Sequence, residues 1–358
     1  MTGQASLARR LSAWFGRHGR DLPWREHRTP YSVWVSEIML QQTTAAAVRG
    51  RYEAFLERFP DLVALARASE EEVLSEVAGL GYYRRFRAMK KAAEQLVGGG
   101  RDDLPGTREE LLELPGIGFY TSGAICSLAF SQPVPAVDGN VERVLGRLHA
   151  MAERVSSRRG LRAFEDRVLE LMEHGEPSTI TEALFDLGAT VCLPRSPRCD
   201  ACPLQGSCVA RQQGRIDEFP TPKVATTMVD RVVVVGHLGS RRGTLFWRRP
   251  DDASRMPGFW ELPECWADGF DDGVAKLVAL VEKRLGARIA LDEVTEMNQA
   301  RHTITRHRLD CRLISLGTST ACRDEDGVLW VRDPSEIPGP VSTITKKLWR
   351  RPAAAGEA

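Results

Sequence analysis

Leu114-Pro115-Gly116-Ile117-Gly118 lies between two stretches of helical periodicity. Glycines two apart permit a tight turn that exposes successive backbone N–H groups at the start of the following helix. With the helix dipole, such an array holds a phosphate without any lysine. The plainer alternative is an ordinary helix–helix turn. Working outward, apolar residues recur at three and four spacings through Tyr31–Phe59, Glu70–Val97 and Thr107–Phe130. Pro60-Asp61, Gly98-Gly99-Gly100 and Gln132-Pro133 separate these stretches. No strand-like alternation of any length appears before residue 214, so this part of the chain reads as all-α.

The polar segment Gln212–Lys223, with Pro220 and Pro222, marks an interdomain linker, after which the period changes. Val229–Leu238 and Thr244–Arg249 read as two strands around the turn Gly239–Gly243. Val274–Leu285 reads as a helix closed by Gly286, and Leu309–Leu316 and Val328–Val331 as further strands. The C-terminal part is therefore a small α+β domain. No internal repeat is visible, and the only low-complexity tract is the Ala/Gly tail after Pro352.

With 358 residues the chain is long enough for two or three domains. Aliphatic runs such as Val232–Val235 stay far short of a membrane span, and the first ten residues lead into no apolar export signal. Net charge is +1. Residues 225–358 carry 20 basic and 19 acidic side chains, and the preceding residues 29 of each. Neither part is a basic domain, so any claim of nucleic-acid binding has to come from local geometry.

Four of the eight cysteines fall within residues 192–208. Cys126, Cys265, Cys311 and Cys322 are singletons. In a chain with no export signal, such a cluster reads as metal ligation rather than disulfides. The spacing Cys192-x6-Cys199-x2-Cys202-x5-Cys208 holds one CxxC knuckle, where a zinc site usually shows two. Longer arms around a single CxxC fit a cubane iron–sulfur cluster better, each iron taking one cysteine.

Two carboxylates stand out. Asp138 lies in Val137-Asp138-Gly139-Asn140-Val141, at a turn before an expected helix Val141–Leu148, where it reads equally as an N-cap. Glu37 sits in the apolar helical stretch Trp34–Thr43. It is either on a solvent face or partly buried, and if buried it holds a proton near neutral pH, as a general acid must.

Together, these features resemble the helix–hairpin–helix DNA glycosylases with an iron–sulfur cluster, and among them the MutY-type adenine DNA glycosylases. The resemblance rests on Leu22–Arg25, Ser36–Thr43, Gly79–Tyr83, Leu114–Tyr120, Val137–Val141 and the cysteine loop. It is dense from residue 5 to about 215 and looser beyond. It implies a multi-domain chain whose all-α catalytic region (1–214) comprises a six-helix barrel (about 30–135) and an iron–sulfur domain (1–29 and 136–214). A linker (215–228), a MutT-like lesion-recognition domain (229–351) and a disordered tail (352–358) follow.

The family removes adenine mispaired with 8-oxoguanine from duplex DNA. By similarity, Glu37 protonates adenine N7 and Asp138 stabilises or transiently captures the oxocarbenium-like sugar. The target must be flipped out of the helix. Trp24, Arg25 and Glu182 then line the adenine pocket, with Arg20 nearby. Gln42 and Tyr82 are carried over as wedges, although Gly81-Tyr82-Tyr83 on its own looks like core. Thr43 and Leu80 are carried over as contacts to the oxidised guanine. Gly116 and Gly118 would hold backbone phosphate, with Arg195, Arg198 and Arg211 near the same backbone. Cys192, Cys199, Cys202 and Cys208 would bind a [4Fe-4S] cluster. Superfamily members that also cut the strand carry a lysine two residues after the second hairpin glycine; here Tyr120 stands there, which implies base removal with little or no lyase activity.

The C-terminal domain resembles the MutT-like (Nudix) domain of the same family. Leu277–Gly286 has only Glu282 where paired glutamates would hold magnesium, so pyrophosphohydrolysis is not expected. A Phe-Ser-His loop reads the lesion in the family. Here Ile304-Thr305-Arg306 stands in its place, with His302 and His307 as alternative readers. The implied substrate is double-stranded DNA with 8-oxoguanine:A or G:A mispairs, acted on by a cytoplasmic monomer. An endonuclease III-like pyrimidine glycosylase is opposed by Tyr120 and the appended domain. A non-catalytic iron–sulfur DNA-binding protein is opposed by the presence of both Glu37 and Asp138.

Overall fold

A computed structural model of the chain describes residues 3–222, 227–286, 288–318 and 326–349. Cys322 and the tail 352–358 lie outside the described residues. The chain forms two compact units, Met1–Val224 and Ala225–Ala358.

The first unit is helical. In chain order its helices are α1 (Gly3–His18), α2 (Pro30–Leu40), α3 (Ala45–Arg58), α4 (Leu62–Arg67), α5 (Glu70–Glu76) and α6 (Arg84–Gly98). Then come α7 (Arg108–Leu112), α8 (Phe119–Ala129), α9 (Gly139–His149), α10 (Arg158–Met172), α11 (Pro177–Thr190) and α12 (Val209–Gln212). Each long periodic stretch is two helices. Tyr31–Phe59 breaks where Gln42 takes a left-handed φ of 55° and Thr44 caps α3 through the Ala47 amide. Glu70–Val97 breaks at Gly79, Gly81 and Tyr82, all at positive φ.

Helix α2 starts at a Thr29–Ser32 capping box with Pro30 in the first turn. Nine of its eleven residues are buried, Glu37 among them, so it has no solvent face to offer a carboxylate. It packs against α3 and α8. Helices α1, α9, α10 and α11 share a second core that includes Leu11, Leu145, Phe164 and Leu184, and Cys192, Cys202 and Cys208 pack at its margin.

The second unit contains β1 (Val229–His237), β2 (Gly239–Ser240), β3 (Gly243–Arg248), β4 (Trp260–Glu261), β5 (Glu264–Ala267), α13 (Phe270–Leu285), β6 (Ile289–Ile304), β7 (His307–Thr318), β8 (Val328–Val331) and α14 (Thr343–Leu348). One sheet has the order β5-β1-β7-β6, with β1 and β7 parallel; in the other, β3 lies between β2 and β4 on one path and also pairs β8. The aliphatic run in β1 is buried on both faces, with Val233 and Val235 in one core and Val234 in the core under α13.

The strands on either side of Gly239–Gly243 do not form one long hairpin. Gly239 and Ser240 pair with Thr244 and Gly243, and then β1 and β3 diverge into different sheets. Gly243 has a φ of 117°, and a Cβ there would lie 2.3 Å from the Val331 carbonyl oxygen. Strand β6 escaped the sequence reading because register shifts between Ala290 and Thr295 and between Glu296 and Asn298 interrupt its period of two.

Candidate active site

A cavity of about 600 Å³ opens in the first unit, and both Glu37 and Asp138 line it. Glu37 is buried, and its Oε2 accepts a 2.5 Å hydrogen bond from Tyr120 Oη. Burial pushes the Glu37 carboxyl up to about 7, reinforced by the negative fields of Asp138 and Glu182; Tyr120 and Arg25 oppose the rise. Asp138 is the N-cap of α9. Its Oδ1 accepts from the Asn140 and Val141 amides, both at 2.8 Å, and its Oδ2 from Asn140 Nδ2 at 2.7 Å. Burial raises its pKa, while the donors from Val141 and Asn140 pull the other way. The two acids therefore differ in kind: Glu37 is dry with one hydroxyl donor, and Asp138 is held by three donors that favour its anion.

Trp24, Arg20, Arg25 and Glu182 line the same cavity. Glu182 and Asp186 are four residues apart on α11 and share one face. Arg25 bridges them, with Nε 2.7 Å from Glu182 and Nη1 2.9 Å from Asp186. Arg28 takes the other Glu182 oxygen at 2.7 Å, and Arg20 closes on Asp186 at 2.7 Å. Burial favours a neutral Asp186, but the Arg25 and Arg20 donors hold it below the ordinary carboxylate range. The sequence reading missed Arg28 and Asp186; the i, i+4 spacing of Glu182 and Asp186 was the only local signal, and their pairing with the arginines is tertiary.

Two tight turns bring the other expected residues together. Gln42 and Thr43 follow α2 and reach the cavity rim. Leu80 and Tyr82 precede α6 and do not line the cavity. Tyr82 is half exposed, so it is no core residue; Tyr83 fills that role, and its hydroxyl accepts from the Gly79 amide. The Leu80 side chain is buried, while its carbonyl accepts a 3.2 Å bond from Thr43 Oγ1.

In the hairpin, Gly116 is exposed with a φ of 80°, and a Cβ there would lie 2.6 Å from that of Ala88. Gly118 caps α8, and the Ser122 amide bonds back to its carbonyl. The amides before Ser122 have no acceptor within the helix. The four cysteines Cys192, Cys199, Cys202 and Cys208 all line one small cavity with Val144, Leu148 and Leu204. Four thiols around a shared space suit an iron–sulfur cluster that takes one cysteine per iron. Arg195 and Arg198 are exposed, whereas Arg211 is drawn back into the loop by Asp200 at 2.8 Å.

Residues 35–168 match the model of the HhH-GPD superfamily of base excision DNA repair proteins, and residues 192–208 match the iron–sulfur binding domain of endonuclease III. An adenine DNA glycosylase of Rattus norvegicus is 42% identical over 96% of this chain and 77% of its own length. This chain belongs to the adenine DNA glycosylase family. An adenine DNA glycosylase of Mycobacterium tuberculosis is 41% identical over 62% of this chain and 74% of its own. Among solved structures, a thermostable thymine-DNA glycosylase matches with a TM-score of 0.55 and 25% identity, over 59% of this chain and 97% of that one.

As a family member the chain is a DNA N-glycosylase of base excision repair, and its cysteine loop carries a [4Fe-4S] cluster. Arg143 connects that loop to the turn of Asp138 through Asn140. Its Nη2 donates to Asn140 Oδ1 at 2.8 Å, and its Nε donates to the Cys192 carbonyl at 2.6 Å. No signal in the sequence marked this link. In the second unit, Thr305 and Arg306 form the two-residue turn between β6 and β7, both exposed. Thr305 has a φ of 51°, and the Arg306 carbonyl accepts from the Val229 amide at 2.8 Å. Glu282 accepts from the Ile289 amide at 3.0 Å, a structural engagement. No helix among the described residues is long and apolar enough to cross a membrane.

Proposed function

We propose that this glycosylase removes adenine mispaired with 8-oxoguanine or guanine by hydrolysis and leaves the strand uncut. The observation that carries the reading is the pair of unlike acids, Glu37 and Asp138, on one cavity. Glu37 enters the reaction protonated and gives its proton to adenine N7, so the base departs neutral as the C1′–N9 bond breaks. Asp138 is the anion that balances the oxocarbenium-like sugar or captures it transiently. Water then adds at C1′ and returns a proton to Glu37, closing the cycle.

Trp24 and the Arg25–Glu182 pair form the wall of the flipped adenine, and Arg20 fixes that wall through Asp186. Gln42 and Tyr82 are the wedges that fill the vacated stack. Thr43 and Leu80 meet the base opposite, and Thr305 and Arg306 of the second, MutT-like unit read its oxidation. The hairpin at Gly116 and Gly118 supports a phosphate contact that sets register and carries no sequence information. With Tyr120 where a lyase would have its amine, no Schiff base forms at that position.

The test is a panel of duplexes with adenine opposite 8-oxoguanine, guanine or cytosine, under single turnover, with and without alkali. The expected order is 8-oxoguanine first, guanine second and cytosine negligible, with breaks appearing only after alkali. Equal rates on all three, or breaks without alkali, would overturn the reading.

A further inference from the structure

Arg85, the second residue of α6, is buried and lines no part of the cavity, yet its guanidinium reaches both the Gln41–Thr43 turn at the rim and the Leu80–Tyr82 turn outside it. Nη1 donates to the Gln41 carbonyl. Nη2 donates to Thr43 Oγ1 at 3.0 Å and to the Leu80 carbonyl at 3.2 Å. The Arg85 amide itself bonds the Tyr82 carbonyl at 3.1 Å. Below the guanidinium lies the Phe86 ring, with its centroid 4.6 Å away. Among the described residues Arg85 has no carboxylate partner, and its Nε has no acceptor. A buried arginine without a counter-ion is costly. One bonded only to two loops is poorly explained as part of a stabilising ion pair.

What the two loops share is strain. Gln42 and Tyr82 both lie in the left-handed region, with φ of 55° and 49°, and neither is glycine. Such residues persist only where their surroundings over-determine them. The Arg85 guanidinium bonds the residue before Gln42, the residue after it and the Leu80 carbonyl two residues before Tyr82. A planar fork offers five donors in one fixed plane to both turns, where a lysine ammonium offers three rotatable donors from one compact point.

We propose that Arg85 is a positioning residue that locks the two wedge-bearing turns, those of Gln42 and Tyr82, in one arrangement before DNA arrives. This rests on the assignment of Gln42 and Tyr82 as wedges. Preorganised turns spare the ordering cost that loose ones meet on binding. Arg85 thereby acts on base extrusion and on discrimination of the opposite base, and leaves the acid chemistry at Glu37 untouched.

The experiment uses the full chain with its cluster and compares Arg85→Lys with wild type. Arg85→Gln, which buries no charge, serves should the lysine variant not fold. Iron content and melting temperature establish the folded fraction. Extrusion is read from the emission of 2-aminopurine placed opposite guanine at saturating protein. Excision is read under single turnover from adenine opposite 8-oxoguanine, guanine and an abasic site. The expected result is weaker emission and about a tenfold smaller 8-oxoguanine-to-guanine rate ratio, the scale of one lost buried hydrogen bond. Release opposite the abasic site, where no base is read, should stay near wild type. Unchanged emission overturns the proposal, and so does an equal fall on all three duplexes. Should wild type itself show no preference for 8-oxoguanine, the opposite-base reading fails, and the emission still decides the role of Arg85.

Discussion

Tyr120 Oη donates to Glu37 Oε2 at 2.5 Å, so the residue standing where a lyase would carry its amine is hydrogen-bonded to the carboxyl assigned as the acid. The bond occupies Oε2, so in the proposed chemistry Oε1 carries the proton toward the base. It also favours the carboxylate, against the burial that raises the Glu37 pKa to about 7. Tyr120→Phe removes the donor and keeps the ring near Phe185, whose centroid lies 6.0 Å away. The Glu37 pKa should then rise further. Single-turnover excision by wild type should fall as pH rises through about 7. In Tyr120→Phe that alkaline limb should move to higher pH; a limb that stays in place or moves down would refute the role given to this bond.

Glu37→Gln should abolish excision, a loss of roughly 10²–10⁴-fold or more, while mispaired duplex is still bound. It also has a signature in stability. A carboxyl whose pKa is higher in the folded than in the unfolded state stabilises the fold while protonated. That contribution is full below the ordinary value of 4.5 and is lost as pH rises through about 7. Glutamine does not titrate, so the variant should gain on wild type with rising pH, by about 3 kcal/mol at pH 8. Melting curves at pH 4, 6 and 8 measure this, and parallel curves would show that Glu37 is not the dry acid described.

Arg143→Gln should slow excision by roughly 10–100-fold, the usual effect of losing an outer-shell partner. It cuts the path from the Cys192 carbonyl through Asn140 to Asp138 and alters none of the four thiols. Iron per chain should therefore remain about four. An iron assay beside single-turnover kinetics separates the two effects, and loss of iron in step with activity would show Arg143 to serve the cluster alone.

Tyr120→Lys should introduce some strand cleavage, seen as breaks without alkali and as a covalent complex trapped by borohydride. Wild type should show little of either. Efficient trapping by wild type would mean that another amine serves as nucleophile.

Arg306→Ala should weaken binding to 8-oxoguanine:A duplexes. If a phosphate is its target, the salt dependence should flatten by about one contact. Excision from the bound complex should change less. If Arg306→Ala leaves both affinity and preference intact while His302→Ala or His307→Ala removes the preference, the lesion-reading role belongs to those histidines.

Much was legible in the sequence because it is carried by local rules. Helical periodicity, the glycine pair of the hairpin and the spacing of four cysteines each express a short-range constraint: the pitch of a helix, the freedom of φ, the reach of a loop around one cluster. They sufficed for an all-α unit with an iron–sulfur loop ahead of an α+β unit. The environment of Glu37 was not legible, since burial depends on which helices cover α2, and an apolar stretch with one carboxylate fits either face. Nor was Tyr82, whose exposure follows from a left-handed turn that periodicity cannot express. Arg25 bridging Glu182 and Asp186, Arg143 reaching Cys192 and Arg85 joining two turns all connect residues more than forty apart in the chain, or five apart across a reversal. Only the tertiary structure decides such contacts, because hydrogen bonds act over about 3 Å in space, whatever the separation along the sequence.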